Sequence, residues 1–138
     1  MFSHTMEIEI EFGDCDPAGI VYFPNYYRMF DNATAHLVSA ALGMNKRQWI
    51  AHYGIAGIPV VDIKTGFRAP SRFGDRVRID SRIVTLGGAS FVVAHRLMNG
   101  ETLGVEGEET RVWIAAEGDR LKPLPIPDAV RLKLEAEA

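Results

Sequence analysis

The chain has 138 residues and a formal net charge of −3, with 47% hydrophobic and 24% charged residues. This length fits a single domain over residues 1–138 with one hydrophobic core, and the composition is that of an ordinary globular protein. The negative charge gives no general attraction to nucleic acid, and no apolar run approaches the roughly 20 residues that cross a bilayer. We therefore expect neither a nucleic-acid nor a membrane partner.

The cysteine and histidine residues further restrict the class of protein. Cys15 is the only cysteine and can form no internal disulfide, and the N-terminus lacks the basic and apolar segments of a secretory signal. The four histidines show no spacing typical of a zinc site. We expect a cytoplasmic protein with no metal and no cofactor.

The first third of the chain predicts a strand, a tight loop and a long helix. Residues 4–12 alternate apolar and acidic side chains, and residues 13–19 are rich in turn formers. Pro24 suits the first turn of a helix and Gly43 suits its left-handed end. Apolar residues occur on both sides of this helix, so we expect it to be buried on most sides, with His36 as a core histidine. A short helix is expected over residues 45–53.

The remainder of the chain predicts antiparallel strands. Alternating or apolar segments cover residues 58–67, 76–83, 90–98 and 102–116, and Gly87-Gly88 and Asn99-Gly100 stand at hairpin positions between them. The last segment is long enough to bend near Gly104 or Gly107. A terminal helix is expected over residues 128–138. The predicted fold is α+β, with an antiparallel sheet of about five strands curled around one long helix.

The loop at residues 13–19 contains the residues best suited to chemistry. Asp16 lies a few residues before the helix start at Phe23-Pro24, where unpaired backbone N–H groups could hold a developing oxyanion. A carboxylate and an amide donor on opposite sides of a carbonyl form the minimum apparatus for acyl transfer. Asp before Pro is also a common turn residue, so spacing alone leaves both interpretations open. Asp14 is expected to fix the loop by bonding backbone amides. Cys15 makes a poor nucleophile, because two flanking carboxylates disfavour its thiolate.

Residues 14–26, Asp-Cys-Asp-Pro-Ala-Gly-Ile-Val-Tyr-Phe-Pro-Asn-Tyr, resemble the signature of the 4-hydroxybenzoyl-CoA thioesterase branch of the hot-dog enzymes. The resemblance continues more loosely through residues 67–70, 74–75, 90–91 and 120–127. It implies a hot-dog fold in which Asp16 is the catalytic aspartate, the backbone N–H of Phe23 is the oxyanion donor and Gly19 is the loop glycine. It also implies a homodimer or a dimer of dimers, hence a homotetramer, with active sites at the subunit interface.

Several further residues are candidates for substrate binding. Asp31 could bond a polar group of the acyl moiety or form an ion pair, and Tyr22 and Tyr26 could stack on an aryl group or fill the core. Arg120 and Lys122 match late basic positions of the family. The family's aryl-CoA thioesterase carries a basic stretch before its Ser-Phe-Val, where this chain has Gly-Gly-Ala at residues 87–89.

The function predicted from these residues is hydrolysis of an acyl-CoA thioester, with 4-hydroxybenzoyl-CoA or another aryl-CoA favoured. Asp16 would act as nucleophile or as general base. The alternatives are a thioesterase for short-chain or branched aliphatic acyl-CoA, a hot-dog hydratase or dehydratase, and a non-catalytic CoA-binding or scaffold protein.

Overall fold

The computed structural model describes residues 1–137 and contains one main antiparallel sheet, a hairpin and three α-helices within that range. The elements in chain order are β1 Ser3–Glu9, α1 Pro24–Leu42, α2 Lys46–Tyr53, β2 Val60–Phe67, β3 Arg76–Leu86, β4 Ser90–Asn99, β5 Thr102–Val112, β6 Ile114–Glu117, β7 Arg120–Pro123 and α3 Asp128–Glu135.

The main sheet has five strands in the order β1-β3-β4-β5-β2, and α1 lies across one face of it. The alternation of β3 shows how the sequence produces two different faces. Val77, Ile79 and Ile83 are buried under the helix, whereas Arg76 and Arg78 are exposed and lie opposite acidic residues of β1. The predicted α+β class and the sheet of about five strands are confirmed.

Helix α1 begins and ends where the sequence predicts. It starts at Pro24 and stops at Gly43, whose φ of +68° gives the left-handed conformation of a helix C-cap. The prediction that this helix is buried on most sides is wrong. A single sheet packs against it and covers only one of its sides. Arg28, Asp31, Asn32 and His36 are all exposed, and His36 is therefore not a core residue.

Two glycines shape β5, and one of them, Gly107, lies directly beneath α1. Leu103 and Val105 both pair with β4 but Gly104 between them does not, which makes Gly104 a β-bulge. A Cβ on Gly107 would lie 3.1 Å from the Phe30 ring, so the absent side chain permits close approach of the helix. The predicted bend near these glycines is confirmed.

Several boundaries differ from the prediction. The first strand ends at Glu9 rather than at residue 12, because a 3-10 turn over Phe12–Asp14 follows it. The segment 102–116 forms two strands, and β6 leaves the main sheet to pair with β7 in a separate hairpin. The terminal helix ends at Glu135, and the predicted end at residue 138 lies outside the described residues.

Candidate active site

Asp14 connects the loop after β1 with the start of α1 through hydrogen bonds. Its carboxylate accepts a hydrogen bond from the Glu11 backbone N–H at 2.8 Å and another from the Arg28 guanidinium. Its carbonyl oxygen accepts from the Tyr22 N–H at 2.9 Å and from the Asn25 side chain at 2.8 Å. Because the donors come from both the loop and the helix start, Asp14 joins the two, as predicted for a residue that fixes the loop.

Asp16 occupies the turn that follows. Its Oδ1 accepts from the Ala18 N–H at 2.9 Å, which is an Asx turn, and its backbone bonds Gly19 and Ile20. Gly19 has φ +82°, a left-handed conformation that favours glycine. The Asp16 side chain is partly exposed, and its Oδ2 has no hydrogen-bond partner within residues 1–137. One oxygen of Asp16 is therefore used by the turn and the other is available.

The backbone N–H of Phe23 is a free donor at the helix start. Phe23 already has helical angles, φ −54° and ψ −34°, and Pro24 follows it without an N–H of its own. The first backbone bonds run from Asn25 to Tyr22 and from Tyr26 to Phe23, whereas the Phe23 N–H meets no acceptor within the described part of the chain. The positive end of the helix dipole adds to this donor. The predicted unpaired amide is therefore present.

An apolar cleft of about 320 Å³ opens beside Phe23. Its wall on the helix side includes Phe23 and Tyr26, and its opposite wall includes Phe67 at the end of β2 and Val105 of β5. The ring of Phe67 lies 6.1 Å from that of Phe23 and 6.0 Å from that of Tyr26. The sequence interpretation missed Phe67 as a site residue, although the family resemblance included it. The Asp16 side chain does not line this cleft within the single chain.

The aromatic candidates differ in their environments. Tyr26 is only 4% exposed, and its hydroxyl accepts a long hydrogen bond of 3.4 Å from the Ser71 N–H. Burial raises the pKa of Tyr26 above its ordinary value. Tyr22 is 51% exposed and contacts the ring of Phe23 edge-on. Tyr26 is therefore a core residue that also lines the cleft, and Tyr22 is a surface residue next to it.

The charged candidates lie outside the cleft. Asp31 lies on the exposed side of α1, and its Oδ1 is 2.9 Å from Arg111 Nη1. This is the ion pair predicted from the sequence as one of two interpretations of Asp31. Arg120 and Lys122 are exposed on β7, and Lys122 lies 3.6 Å from Glu117 of the same hairpin. Within residues 1–137, Asp31, Arg120 and Lys122 do not line the cleft.

Within residues 1–137, no helix combines the length and the apolar character that spanning a bilayer requires.

Comparison with known proteins agrees with the fold and the motif. Residues 10–134 match the model of the thioesterase-like superfamily. The 4-hydroxybenzoyl-CoA thioesterase of Pseudomonas sp. (strain CBS-3) is 35% identical over 130 residues, which cover 91% of this chain and 92% of that protein. The resemblance read from residues 14–26 is confirmed.

Solved structures of thioesterases share the same architecture. A substituted 4-hydroxybenzoyl-CoA thioesterase in complex with 4-hydroxybenzoyl-CoA superposes with a TM-score of 0.90 at 32% identity, covering 96% of this chain and 99% of that one. A gentisyl-coenzyme A thioesterase superposes with a TM-score of 0.82 at 34% identity, covering 93% and 99%. The chain belongs to the thioesterase-like superfamily and has its hot-dog fold.

Proposed function

We propose that this protein hydrolyses an aryl-CoA thioester to the free carboxylic acid and CoA. The observation that carries the proposal is the Phe23 N–H at the start of α1 together with Oδ2 of Asp16 in the adjoining loop, neither of which has a hydrogen-bond partner among the described residues. Asp14 bonds both segments and so limits their relative motion. A donor and a carboxylate held in this way suit the attack on a thioester carbonyl.

The two groups have distinct roles in the proposed reaction. The Phe23 N–H binds the thioester oxygen as negative charge develops on it. Asp16 either adds to the carbonyl carbon, expelling the CoA thiolate and leaving an anhydride that water cleaves, or takes a proton from the water that attacks. Both routes consume one water and end in acid plus CoA thiol. Gly19 shapes the turn that carries Asp16, since its φ of +82° disfavours other residues.

An aromatic acyl group is favoured by two independent observations. The cleft beside Phe23 is lined mainly by apolar side chains, with the faces or edges of Phe23, Tyr26 and Phe67 around it, and planar rings stack well on such walls. The named relatives act on 4-hydroxybenzoyl-CoA or gentisyl-CoA, both of which carry hydroxylated rings. The aliphatic acyl-CoA thioesterase remains the second candidate, because an apolar cleft also accepts alkyl chains.

The remaining substrate contacts belong to the same proposal. Asp31 uses Oδ1 for the ion pair with Arg111, and its other carboxylate oxygen would accept a hydrogen bond from a ring hydroxyl, provided that assembly with a second copy brings Asp31 to the cleft. Tyr22 would contact the bound ligand at the mouth of the cleft. Arg120 and Lys122 would meet the phosphates of the CoA nucleotide, provided that a second copy of the chain brings the β6–β7 hairpin to the cleft.

A homo-oligomer with interface active sites is supported by the free edge of β2. Among the residues that the structure describes, this eight-residue strand pairs only with β5, and its Val60, Val61 and Phe67 side chains are exposed. An exposed strand edge that carries apolar side chains is normally covered, often by another chain. A second copy at β2 would also close the cleft next to Phe67. Assembly into a homotetramer and a cytoplasmic location stay predictions from the sequence.

The experiment follows thiol release across a panel of aryl and alkyl CoA thioesters ranked by kcat/KM. We expect hydroxylated aryl thioesters to have the highest kcat/KM. If alkyl thioesters had the highest value, the second candidate function would be supported. Binding without thiol release would indicate the non-catalytic scaffold. Hydration without thiol release would indicate a hydratase.

The variant Asp16→Asn tests the mechanism, because an amide oxygen can keep the bond from the Ala18 N–H while the basic oxygen is lost. We expect kcat to fall by about 10²-fold or more. Cys15→Ser is the matched control in the same loop and should keep most of the activity. A fully active Asp16→Asn, or an inactive Cys15→Ser, would contradict the mechanism.

A further inference from the structure

A belt of polar side chains crosses the core beneath the middle of α1. It separates an apolar cluster under the first half of the helix, around Phe30 and Leu97, from another under the second half, around Leu37 and Trp113. The members of this belt are at most 3% exposed, and they are Thr34, Ser81, His95, Glu109 and Arg111. Ionisable groups are rarely buried so fully unless a specific arrangement requires them.

Thr34 is the residue of α1 that belongs to the belt. Its hydroxyl donates to Glu109 Oε1, and His95 Nε2 lies 3.0 Å from Thr34 Oγ1 and 3.2 Å from Glu109 Oε1. Because the single hydroxyl hydrogen of Thr34 is used for Glu109, Nε2 must carry a hydrogen and act as the donor. On its other side the ring meets Ser81, with Nδ1 2.7 Å from Oγ.

Arg111 of β5 contacts the same part of the helix and also the segment before β2. Its Nε donates to Glu109 at 2.9 Å, and its Nη1 reaches Asp31 of α1 at 2.9 Å and the Ile58 carbonyl before β2 at 3.0 Å. Burial alone would raise the pKa of Glu109, but the hydrogen bonds from His95 and Arg111 outweigh it and the pKa lies below its ordinary value. The charges of the belt are thus held in place by specific partners.

Stability alone does not explain this belt, because a buried ionic network is often no more stabilising than apolar side chains of the same volume. The Nη2 atom of Arg111 is buried without a partner in the described chain, which is itself unfavourable. Apolar contacts are non-directional and tolerate small sliding or rotation of a helix, whereas hydrogen bonds near 3 Å do not. The belt therefore fixes the position of α1 along and around its axis.

We propose that this belt sets the register of α1 on the sheet and thereby the width of the cleft, with Thr34 as a positioning residue. Phe23 lies about 16 Å from Thr34 at the usual rise of 1.5 Å per residue, so a shift at Thr34 moves the Phe23 amide with it. The opposite wall, at Phe67 and Val105, belongs to the sheet and does not follow. The inference rests on the proposed function for its catalytic consequence only.

The test compares Thr34→Val with Val38→Ala, which removes apolar bulk one turn later on the same helix. Thr34→Val keeps the shape but removes the hydroxyl, and we expect kcat/KM to fall by about tenfold to a hundredfold in fully folded enzyme. Thr34→Ser should restore most of this loss, and Val38→Ala should lower stability while keeping kcat/KM near that of the parent. Equal kcat/KM in the two helix variants, measured on folded protein, would overturn the proposal.

A second measurement needs no catalytic activity. In ¹H–¹⁵N spectra we expect Thr34→Val to move the amide signal of Phe23 and Val38→Ala to leave it in place. An unmoved signal in Thr34→Val would refute the register role even if the protein were not a thioesterase. If Thr34→Val fails to fold, Ser81→Ala at the far end of the belt replaces it, with a smaller shift of the Phe23 signal expected and no shift counting against the proposal.

Discussion

The Phe23 N–H can be removed without breaking a hydrogen bond of the described chain, which allows a direct test of the proposed oxyanion donor. Proline at this position deletes the N–H, and the φ of −54° at Phe23 lies within the range that a proline ring imposes. The N–H bonds no acceptor within residues 1–137, so Phe23→Pro breaks no hydrogen bond of the fold. Phe23→Ala is the matched control, because it removes the same ring and keeps the donor.

The expected effects of the two variants differ in size and in kind. Loss of one oxyanion donor lowers kcat by about 10²–10³-fold, or about 2.7–4 kcal/mol. Loss of the ring affects the contacts with Tyr22 and Phe67, and such aromatic pairs contribute about 0.5–1.5 kcal/mol each. We therefore expect Phe23→Ala to change KM and stability more than kcat, and Phe23→Pro to add a large loss of kcat.

The assay is thiol release at saturating aryl-CoA, with the urea midpoint of each variant measured in parallel to confirm that it is folded. If the folded Phe23→Pro and Phe23→Ala variants have the same kcat, the Phe23 amide takes no part in the chemistry. The donor would then have to come from elsewhere, and the helix start would serve only the fold.

Three further predictions address the assembly and the core. Val61→Lys puts a charge on the exposed edge of β2, and sedimentation should show a smaller species than the parent; an unchanged size would place the interface elsewhere. Gly107→Ala puts a Cβ 3.1 Å from the buried Phe30 ring. The free energy of unfolding, measured in urea titrations, should therefore fall by about 1–3 kcal/mol. An unchanged free energy of unfolding would show that the ring can move aside. The stabilisation from ionised Glu109 is complete above its ordinary pKa of 4.5 and is lost as the pH falls through the lower folded value, so the urea midpoint should decline there more steeply in the parent than in Glu109→Gln.

The parts of the structure that depend on local sequence could be predicted from it. Pro24 and Gly43 mark the ends of α1 because their backbone preferences act at single positions. The loop with Asp16 and the free amide of Phe23 likewise depend on residues close together in the chain. These features supply most of the proposed catalytic apparatus.

The features that depend on distant contacts could not be predicted. Glu109 and Arg111 lie on the inner face of β5. Their charge predicts the solvent face instead, and they are buried because they find partners on neighbouring elements such as α1 and β4. His95 was likewise passed over, while His36 was expected in the core. The β6–β7 hairpin was missed because Pro123 argues against a strand, although proline is tolerated at a strand end such as this one.

The two interpretations of Asp16 left open by the sequence are compatible in the structure. A turn residue that uses one carboxylate oxygen to bond the Ala18 N–H holds the other oxygen in a restricted orientation. Restricting a catalytic group before the substrate arrives lowers the entropy that must be lost in the transition state. In the proposed mechanism the turn therefore orients the carboxylate, and replacing Asp16 by Ala would remove both the proposed base and the turn, whereas Asn separates the two.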